Sequence, residues 1–296
     1  MGRTLTLLSV LLLAGCGSSS GKPELVWGQR GVRDGDLMRP RAIAIDNADR
    51  LFLVDFTARI QVYDLEGKYT GPTWTTPDYR NGRPSGLGID RYGNLIVCDS
   101  HYHCLRLYSA GGDLLRTLAG EEAGFSYISD AVQDADGFFY VSEFGDQDRI
   151  TKLTEDGQIV MHWGKLGSEP GELNRPRALA LGPDGNLYVA DACNHRIQVF
   201  TRNGDSIRCF GTPGSGAGEL RYPYDLSFAK SGILYVVERF NGRVQKFTKE
   251  GKSLGTWGSP GRQPGQFNEP WALAVDRHGK VHVVDTENHR VQQIDF

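Results

Sequence analysis

The chain has 296 residues, of which 39% are hydrophobic and 23% are charged, with 38 glycines and a formal net charge of −3 at pH 7. This length allows one large or two ordinary domains, and the composition excludes collagen-like and disordered chains. The slightly acidic balance argues against a non-specific nucleic-acid binder, which would be basic.

The N-terminus is a predicted targeting segment. Arg3 supplies a small positive region, and the apolar stretch 5–13 is too short to span a bilayer as a helix. Next comes Leu13-Ala14-Gly15-Cys16, which resembles the lipobox of bacterial lipoproteins, whose cysteine becomes the lipidated first residue after cleavage. The alternative is an ordinary secretory peptide with a chance cysteine. The resemblance implies a signal peptide at 1–15, a lipidated Cys16 with a flexible tether at 16–23, and a folded domain at 24–296 on the extracytoplasmic side of the cell envelope.

Four cysteines remain beyond Cys16. An exported compartment permits disulfides. Cys98 could be bridged to Cys104, and Cys193 to Cys209, or all four could be buried free thiols. The CxxC spacing of many zinc sites is absent, so we infer no zinc site from the cysteines.

Six repeats organise the chain. An acidic residue ends one apolar strand in each repeat, at intervals of about 44 to 48 residues. A proline precedes the first strand of five repeats, and Ile128 takes its place in the third. A period of this size with several short strands is typical of a propeller blade. The acidic markers are Asp55, Asp99, Glu143, Asp191, Glu238 and Asp285, and the prolines are Pro40, Pro84, Pro176, Pro223 and Pro270.

The fourth repeat shows the strands of one unit most clearly. Apolar residues alternate at period two, which indicates strands rather than helices. Glycine occupies the tight turns, where positive φ is needed. We predict an inner strand at 178–181, a second at 187–190, a third at 196–200 and an outer strand at 207–210.

The ring is expected to close with its N-terminal strand. The sixth repeat ends at Phe296 without an outer strand, whereas the mature N-terminus opens with Leu25-Val26-Trp27-Gly28. Outer strands elsewhere end in the same way, as in Thr256-Trp257-Gly258. We therefore predict an all-β, six-bladed propeller of four-stranded antiparallel blades, in which residues 25–28 complete the last blade. This pairing removes an exposed strand edge.

Two segments carry a family resemblance. Asn194-His195-Arg196-Ile197 and Asn288-His289-Arg290-Val291 each follow a strand that ends in aspartate, and they resemble the NHL repeat. The resemblance covers 24–296 in six copies, two strong and four degenerate. It implies a six-bladed β-propeller but no single function, since propellers of this type include enzymes, sensor ectodomains and binding modules.

The residues that name the repeat are expected to be structural. Asp191 with Arg196, Glu238 with Arg243 and Asp285 with Arg290 share one spacing, which predicts an acid–arginine pair that closes each turn. Such a pair contributes about 0–1 kcal/mol if exposed. In the second repeat Cys104 takes the arginine position, so that turn must be held differently.

A binding site is expected where the repeats differ. The position after the proline marker varies, and in a propeller it surrounds one mouth of the central channel. Arginine suits carboxylate, sulfate or phosphate, and aromatic rings suit sugar or ring faces. The six residues at this position are Arg41, Ser85, Ser129, Arg177, Tyr224 and Trp271.

The following position is small in four repeats and acidic in two. Asp130 and Asp225 belong to blades on either side of Arg177. Because buried carboxylates need partners, we expect Arg177 to pair with them. The trio could be an internal structural network or the floor of a polar pocket.

Two enzyme classes have similar propellers whose metal ligands can be sought at matching positions of this chain. Peptidyl-amidoglycolate lyases hold zinc with histidines in the position after the proline, where this chain has none. Calcium-dependent lactonase-like propellers hold their ion with channel carboxylates, and two aspartates fall short of the six to eight oxygens that calcium takes. We therefore expect no cofactor.

The favoured function is binding. The sequence predicts a monomeric, lipid-anchored propeller that binds an envelope protein, peptide or glycan at the channel mouth, without nucleic acid. The alternative is an envelope hydrolase or lyase that uses the same mouth.

Overall fold

The computed structural model describes residues 21–77, 80, 82–118 and 124–296. The predicted signal peptide, Cys16 and the tether up to residue 20 lie outside the described residues. None of the helices in the described ranges has the length and apolar character that crossing a bilayer requires.

Six four-stranded antiparallel sheets are arranged around a central axis, and the inner strand of each sheet contacts the inner strands of its two neighbours. The predicted six-bladed propeller is confirmed. In chain order, the strands up to the end of the third blade are β1 Leu25–Trp27, β2 Ala42–Ile45, β3 Leu51–Val54, β4 Arg59–Tyr63, β5 Tyr69–Thr75, β6 Gly86–Ile89, β7 Leu95–Asp99, β8 Cys104–Tyr108, β9 Leu114–Leu118, β10 Tyr127–Gln133, β11 Phe139–Phe144, β12 Arg149–Leu153 and β13 Ile159–Trp163.

The last three blades follow the same plan. In the fourth blade the strands extend slightly beyond the predicted bounds, because Pro176 pairs with Asp191 ahead of a β-bulge. Short 3₁₀ helices lie at 100–102, 192–194 and 286–288. The remaining strands are β14 Pro176–Leu181, β15 Leu187–Asp191, β16 Arg196–Phe200, β17 Ser206–Phe210, β18 Thr212–Pro213, β19 Glu219–Leu220, β20 Pro223–Phe228, β21 Leu234–Glu238, β22 Arg243–Phe247, β23 Ser253–Trp257, β24 Ser259–Pro260, β25 Gln266–Phe267, β26 Pro270–Val275, β27 Val281–Asp285 and β28 Arg290–Ile294.

The N-terminal strand closes the ring as predicted. The sixth sheet has the order β1-β28-β27-β26, and in its register Leu25 faces Gln293 and Trp27 faces Val291. Trp27 is 8% exposed, and its ring lies 4.8 Å from that of Tyr63 in the first blade. The closing strand therefore joins the last blade by hydrogen bonds and the first blade by apolar contact.

The hydrophobic core lies between neighbouring blades. Phe52 and Val54 of the first blade share one cluster with Leu95 and Val97 of the second. Every residue of β7 and β15 is buried, because each sheet is covered on both faces by an adjacent blade. Alternation along these strands therefore sorts residues between two interfaces, and not between core and solvent.

The loops before four inner strands anchor one apolar residue each beneath the preceding outer strand. Leu173 is fully buried there. Gly164, at the end of β13, has a φ of 90°, and a Cβ on it would lie 2.7 Å from Leu173 Cδ1. Only glycine meets both constraints. The second and third repeats lack this loop sequence, which accounts for their shorter spacing.

The four described cysteines are free thiols. Cys98 and Cys104 are buried, and burial raises the pKa of the Cys104 thiol to about 11. The expectation of free thiols therefore fits the structure better than that of disulfides, but burial holds only for Cys98 and Cys104, since Cys193 is partly buried and Cys209 is exposed.

Deleting residues 24–28 should destabilise the whole ring. The loss of Trp27 burial alone should cost ~3–5 kcal/mol, and β28 would become an open strand edge. Thermal unfolding by circular dichroism measures the effect against a chain that begins at residue 21. Equal melting temperatures for the two truncations would contradict closure by β1.

Candidate functional site

The six inner strands surround a channel of about 320 Å³. All eight residues predicted for the mouth line this cavity, and the structure therefore brings them together as the sequence analysis placed them. Below the mouth lie the small residues Ala42, Gly86, Ala178 and Ala272. A Cβ on Gly86 would lie 2.6 Å from the carbonyl oxygen of Ser129. The far end is bounded by Ile45, Ile89, Val132, Leu181, Phe228 and Val275.

Two stacked aromatic rings form one wall of the mouth. The rings of Tyr224 and Trp271 lie 5.2 Å apart at an interplanar angle of 22°. The Arg41 guanidinium lies 5.2 Å from the centre of the Trp271 ring, and the Arg177 guanidinium lies 4.4 Å from that of Tyr224. Nη2 of Arg177 also donates to the Tyr224 hydroxyl. The aromatic rings therefore hold the two cations in place by cation–π contact.

A second variable position, which the sequence analysis missed, contributes to the same mouth. It follows the acidic marker of each repeat and holds Phe56 and Phe144 in the first and third blades. Phe144 lies 5.0 Å from the Arg177 guanidinium, and Phe56 lies 4.2 Å from that of Arg83. In the fifth blade this position is Arg239, 5.5 Å from the Trp271 ring. Its variation between repeats, like that of the position after the proline, is visible in the sequence.

The two serines of the mouth differ in role. The Ser85 hydroxyl donates to the carbonyl oxygens of Ile128 and Ser129, at 2.9 and 3.0 Å, and so links the second blade to the third. The Ser129 hydroxyl is buried and has no hydrogen-bond partner among the described residues. Ser85 is therefore committed to the fold, whereas Ser129 remains available to a ligand.

Arg177 forms no direct ion pair with either channel carboxylate, so the predicted pairing is wrong as a contact, although the charge of Arg177 lowers the pKa of both groups. Asp130 accepts a hydrogen bond of 2.9 Å from the backbone amide of Leu179, and Asp225 accepts one of 2.9 Å from that of Leu273. Both amides follow a β-bulge at the start of an inner strand. Each carboxylate therefore links its own blade to the next one.

Burial dominates the ionisation of these two carboxyl groups. It is the largest of the causes that together raise the pKa of Asp130 to about 7 and that of Asp225 to about 8. The charge of Asp130 contributes to the raised pKa of Asp225, whereas the accepted amide hydrogen bonds and the charge of Arg177 lower the pKa of both groups. Near neutral pH the pair therefore retains part of its protons.

The predicted acid–arginine pairs are confirmed, and they are buried. In the fourth blade Nε of Arg196 lies 2.8 Å from Oδ2 of Asp191, whose side chain is 0% exposed. The carboxylate also accepts the Asn174 amide at 2.7 Å, and Arg196 donates to the Ser168 carbonyl at 2.6 Å. Each pair thus fixes the loop that leads to the channel mouth.

In the second blade, Arg106 replaces the missing arginine. It lies two residues beyond Cys104 on β8, and its Nε is 2.8 Å from Asp99. The arginine that holds this turn therefore lies two residues further along β8 than the position that Cys104 occupies. This is the different arrangement that the cysteine in the arginine position required.

The histidines of the repeat connect neighbouring blades. Nδ1 of His195 accepts the Tyr222 amide at 2.9 Å, and Nδ1 of His289 accepts the Arg39 amide at 3.0 Å. Tyr222 and Arg39 precede the proline markers and have positive φ values of 58° and 50°. Burial lowers the pKa of both histidines, which favours the neutral form that accepts these bonds. Their role is structural, as the sequence analysis expected.

Asp191→Ala should lower the free energy of unfolding by ~3–5 kcal/mol, because it leaves Arg196 without its carboxylate in a buried site. Asp136→Ala is the matched control. Its carboxylate is 64% exposed and pairs with Arg202 at 2.7 Å, so its loss should cost only about 0–1 kcal/mol. Urea unfolding measures both variants, and equal losses would contradict a structural role for the buried pair.

Asp225→Asn should flatten the pH dependence of stability. A carboxyl group whose pKa is raised on folding binds more protons in the folded state, so its contribution to stability is lost as pH rises from about 4 to 8. The measured quantity is the slope of the free energy of unfolding over this range. Asp113→Asn, at an exposed position, should leave the slope unchanged. A slope in Asp225→Asn as steep as in the wild type would refute the raised pKa.

Comparisons with known proteins agree with this architecture. The NHL repeat model matches residues 173–200 and 267–294. The chain is 34% identical over 128 residues to peptidyl-glycine alpha-amidating monooxygenase A of Xenopus laevis, which covers 39% of this chain and 14% of that protein. It is 30% identical over 107 residues to NHL repeat-containing protein 3 of Homo sapiens, which covers 33% of this chain and 31% of that protein. The chain thus spans less than a third of the length of either relative.

Solved structures share the fold over most of the chain. A streptogramin B lyase superposes with a TM-score of 0.62 at 14% identity, covering 89% of this chain and 94% of that one. A putative gluconolactonase superposes with a TM-score of 0.66 at 15% identity, covering 92% and 94%. With the repeat matched in two blades and the fold shared around the ring, the chain is a six-bladed β-propeller that carries NHL repeats in its fourth and sixth blades.

Proposed function

We propose that the chain is a monomeric, lipid-anchored extracytoplasmic propeller that binds an envelope protein, peptide or glycan at its channel mouth. The observation that carries the proposal is that the variable positions of the repeats converge on one cavity. The acid–arginine pairs and the histidine contacts recur in several blades and serve the fold. The proposed location rests on the resemblance of residues 13–16 to a lipobox.

The architecture supports binding at this face. The loops before the inner strands and the turns after the acidic markers are held by buried ion pairs and by histidine contacts between blades. A rigid mouth loses little conformational entropy when it takes up a partner. Loops on such a scaffold are a common place for binding residues.

The second candidate is an envelope hydrolase or lyase with its active site at the same mouth. Two observations favour it: the raised pKa values of Asp130 and Asp225, and the enzyme names of several relatives and fold neighbours. Zinc chemistry of the amidoglycolate-lyase kind fits poorly, because the described residues that line the channel include no histidine. The hydrogen bonds from backbone amides to both aspartates also favour a structural role for them.

Arg177→Ala combined with Trp271→Ala should abolish partner capture, because it removes one of the two stacked rings and one of the guanidinium groups of the mouth. The chain 24–296, immobilised and exposed to envelope extract, provides the measurement, with circular dichroism to establish folding. Arg202→Ala is the control, since Arg202 lies in an outer turn away from the mouth and pairs with Asp134 and Asp136. Equal capture by the folded double variant and the control would place the site elsewhere.

Metal dependence separates the two candidates. The binding proposal expects no co-purified metal and no change in melting temperature with calcium, zinc or EDTA. Elemental analysis and thermal shift measure both quantities. A stoichiometric metal whose removal lowers the melting temperature would favour the metalloenzyme over the binding module.

A further inference from the structure

The mouth offers hydrogen-bond donors and few free acceptors. Nε of Arg41, Nε of Arg177 and Nε1 of Trp271 are buried and have no hydrogen-bond partner among the described residues, and the same holds for the Ser129 hydroxyl. The Tyr224 oxygen accepts from Arg177, which leaves its hydrogen free to donate. Unpaired buried donors are costly, at about 1–3 kcal/mol each. Their concentration in one cavity points to a ligand that supplies acceptors.

Both carboxylates at the same place already accept backbone amides. Asp225 accepts the amides of Leu226 and Leu273 at 2.7 and 2.9 Å, and Asp130 accepts the Leu179 amide. A neutral glycan presents hydroxyl groups that both donate and accept, and it would find few free acceptors here. An oxyanion only accepts hydrogen bonds and therefore matches the available groups.

Positive charge is concentrated at this mouth although the chain as a whole has a net charge of −3. Glu269 neutralises Arg239 at 2.6 Å, and Glu287 neutralises Arg39. Arg41 and Arg83 have no such ion pair in the described part of the chain; they lie over the rings of Trp271 and Phe56.

The arginines are also close enough to repel one another. Burial, together with the charges of Arg177 and Arg83 and partly opposed by Tyr224, lowers the pKa of Arg41 to about 10. Because arginine stays protonated in proteins, the mouth retains this repulsion until a negative group enters.

The aromatic rings do not offer a free stacking platform. Tyr224 and Trp271 stack on each other, while Arg177 and Arg41 lie over their rings. Their faces are thus used to position guanidinium groups. This arrangement favours recognition of charge over recognition of a sugar ring.

We propose that the channel mouth binds a tetrahedral oxyanion, a phosphate or sulfate group carried by the ligand, held between Arg41 and Arg177 with donors from Trp271, Tyr224 and Ser129. A tetrahedral oxyanion has three or four acceptor oxygens, which suits this number of donors better than the two oxygens of a carboxylate. The inference rests on the proposed binding role of the mouth and narrows the chemistry of its ligand.

The direct test titrates the full-length chain with inorganic phosphate and with sulfate at constant ionic strength, followed by calorimetry and thermal shift. Saturable binding and a rise in melting temperature are expected, and acetate at the same ionic strength should give neither. Arg41→Gln should weaken binding at least ~10-fold. Arg116→Gln, on the exposed face of an outer strand, should not weaken it.

Phenyl phosphate and phenyl sulfate then identify the carrier chemistry. Tighter binding of one ester than of the other assigns the ligand to phosphate or to sulfate esters. No saturable binding of any tetrahedral anion, equal binding of acetate, or equal weakening by Arg41→Gln and Arg116→Gln would each overturn the inference.

A stability measurement distinguishes an anion site from a structural arginine. Without added phosphate or sulfate, Arg41→Met should raise the melting temperature, because it removes an unpaired cation from a buried, repulsive cluster. A fall in melting temperature would show that Arg41 serves the fold and would count against the inference.

The outcomes also separate this inference from the proposed function. Partner capture that is lost in Trp271→Ala but unaffected by Arg41→Gln or by added phosphate would uphold the binding mouth and overturn the oxyanion. Specific phosphate binding without capture of any partner would uphold the oxyanion and count against the proposed protein partner.

Discussion

The buried carboxylate–arginine pair at the end of the second strand of each blade is the interaction on which the mouth depends. Asp191 is fully buried, yet it is ionically paired and also accepts a backbone amide. A buried charge is tolerated only when its oxygens are satisfied. The Asp191–Arg196 pair also makes hydrogen bonds to the loop that precedes the inner strand. One set of bonds therefore fixes both this loop and the turn after Asp191, which border the channel.

Contacts between blades carry this local order around the ring. His195 accepts an amide from the blade that follows it, and Asp130 and Asp225 do the same nearer the axis. Two kinds of acceptor, imidazole and carboxylate, thus perform one task at different radii. The residues that identify the repeat belong to this framework, whereas the residues that distinguish one blade from another lie on the surface it supports.

The fold could be predicted closely because its determinants recur. The proline and acidic markers recur with the period of the blade. The sixth repeat lacks an outer strand, and residues 25–28 resemble the end of one, which predicted how the ring closes. The composition of the mouth was predictable for the same reason. The partners of individual side chains were harder to predict than the fold. The predicted pairing of Arg177 with Asp130 was wrong because a β-bulge after Pro176 brings the Leu179 amide to that carboxylate. A bulge has no clear signature in Pro176-Arg177-Ala178-Leu179. Phe144 and Arg239 escaped prediction because they follow the acidic marker, outside the two positions after the proline from which the mouth was predicted.

The pairing of β1 with β28 has a consequence for the order of folding. Leu25 and Gln293 face each other from opposite ends of the sequence, so the last blade cannot assemble until nearly the whole chain is available. Contacts of such long range form slowly, and until then β28 has an unpaired edge that could pair with another chain. The five blades made from continuous sequence can form earlier. Ring closure is therefore the step at which a growing chain becomes a finished propeller, and the step most exposed to aggregation.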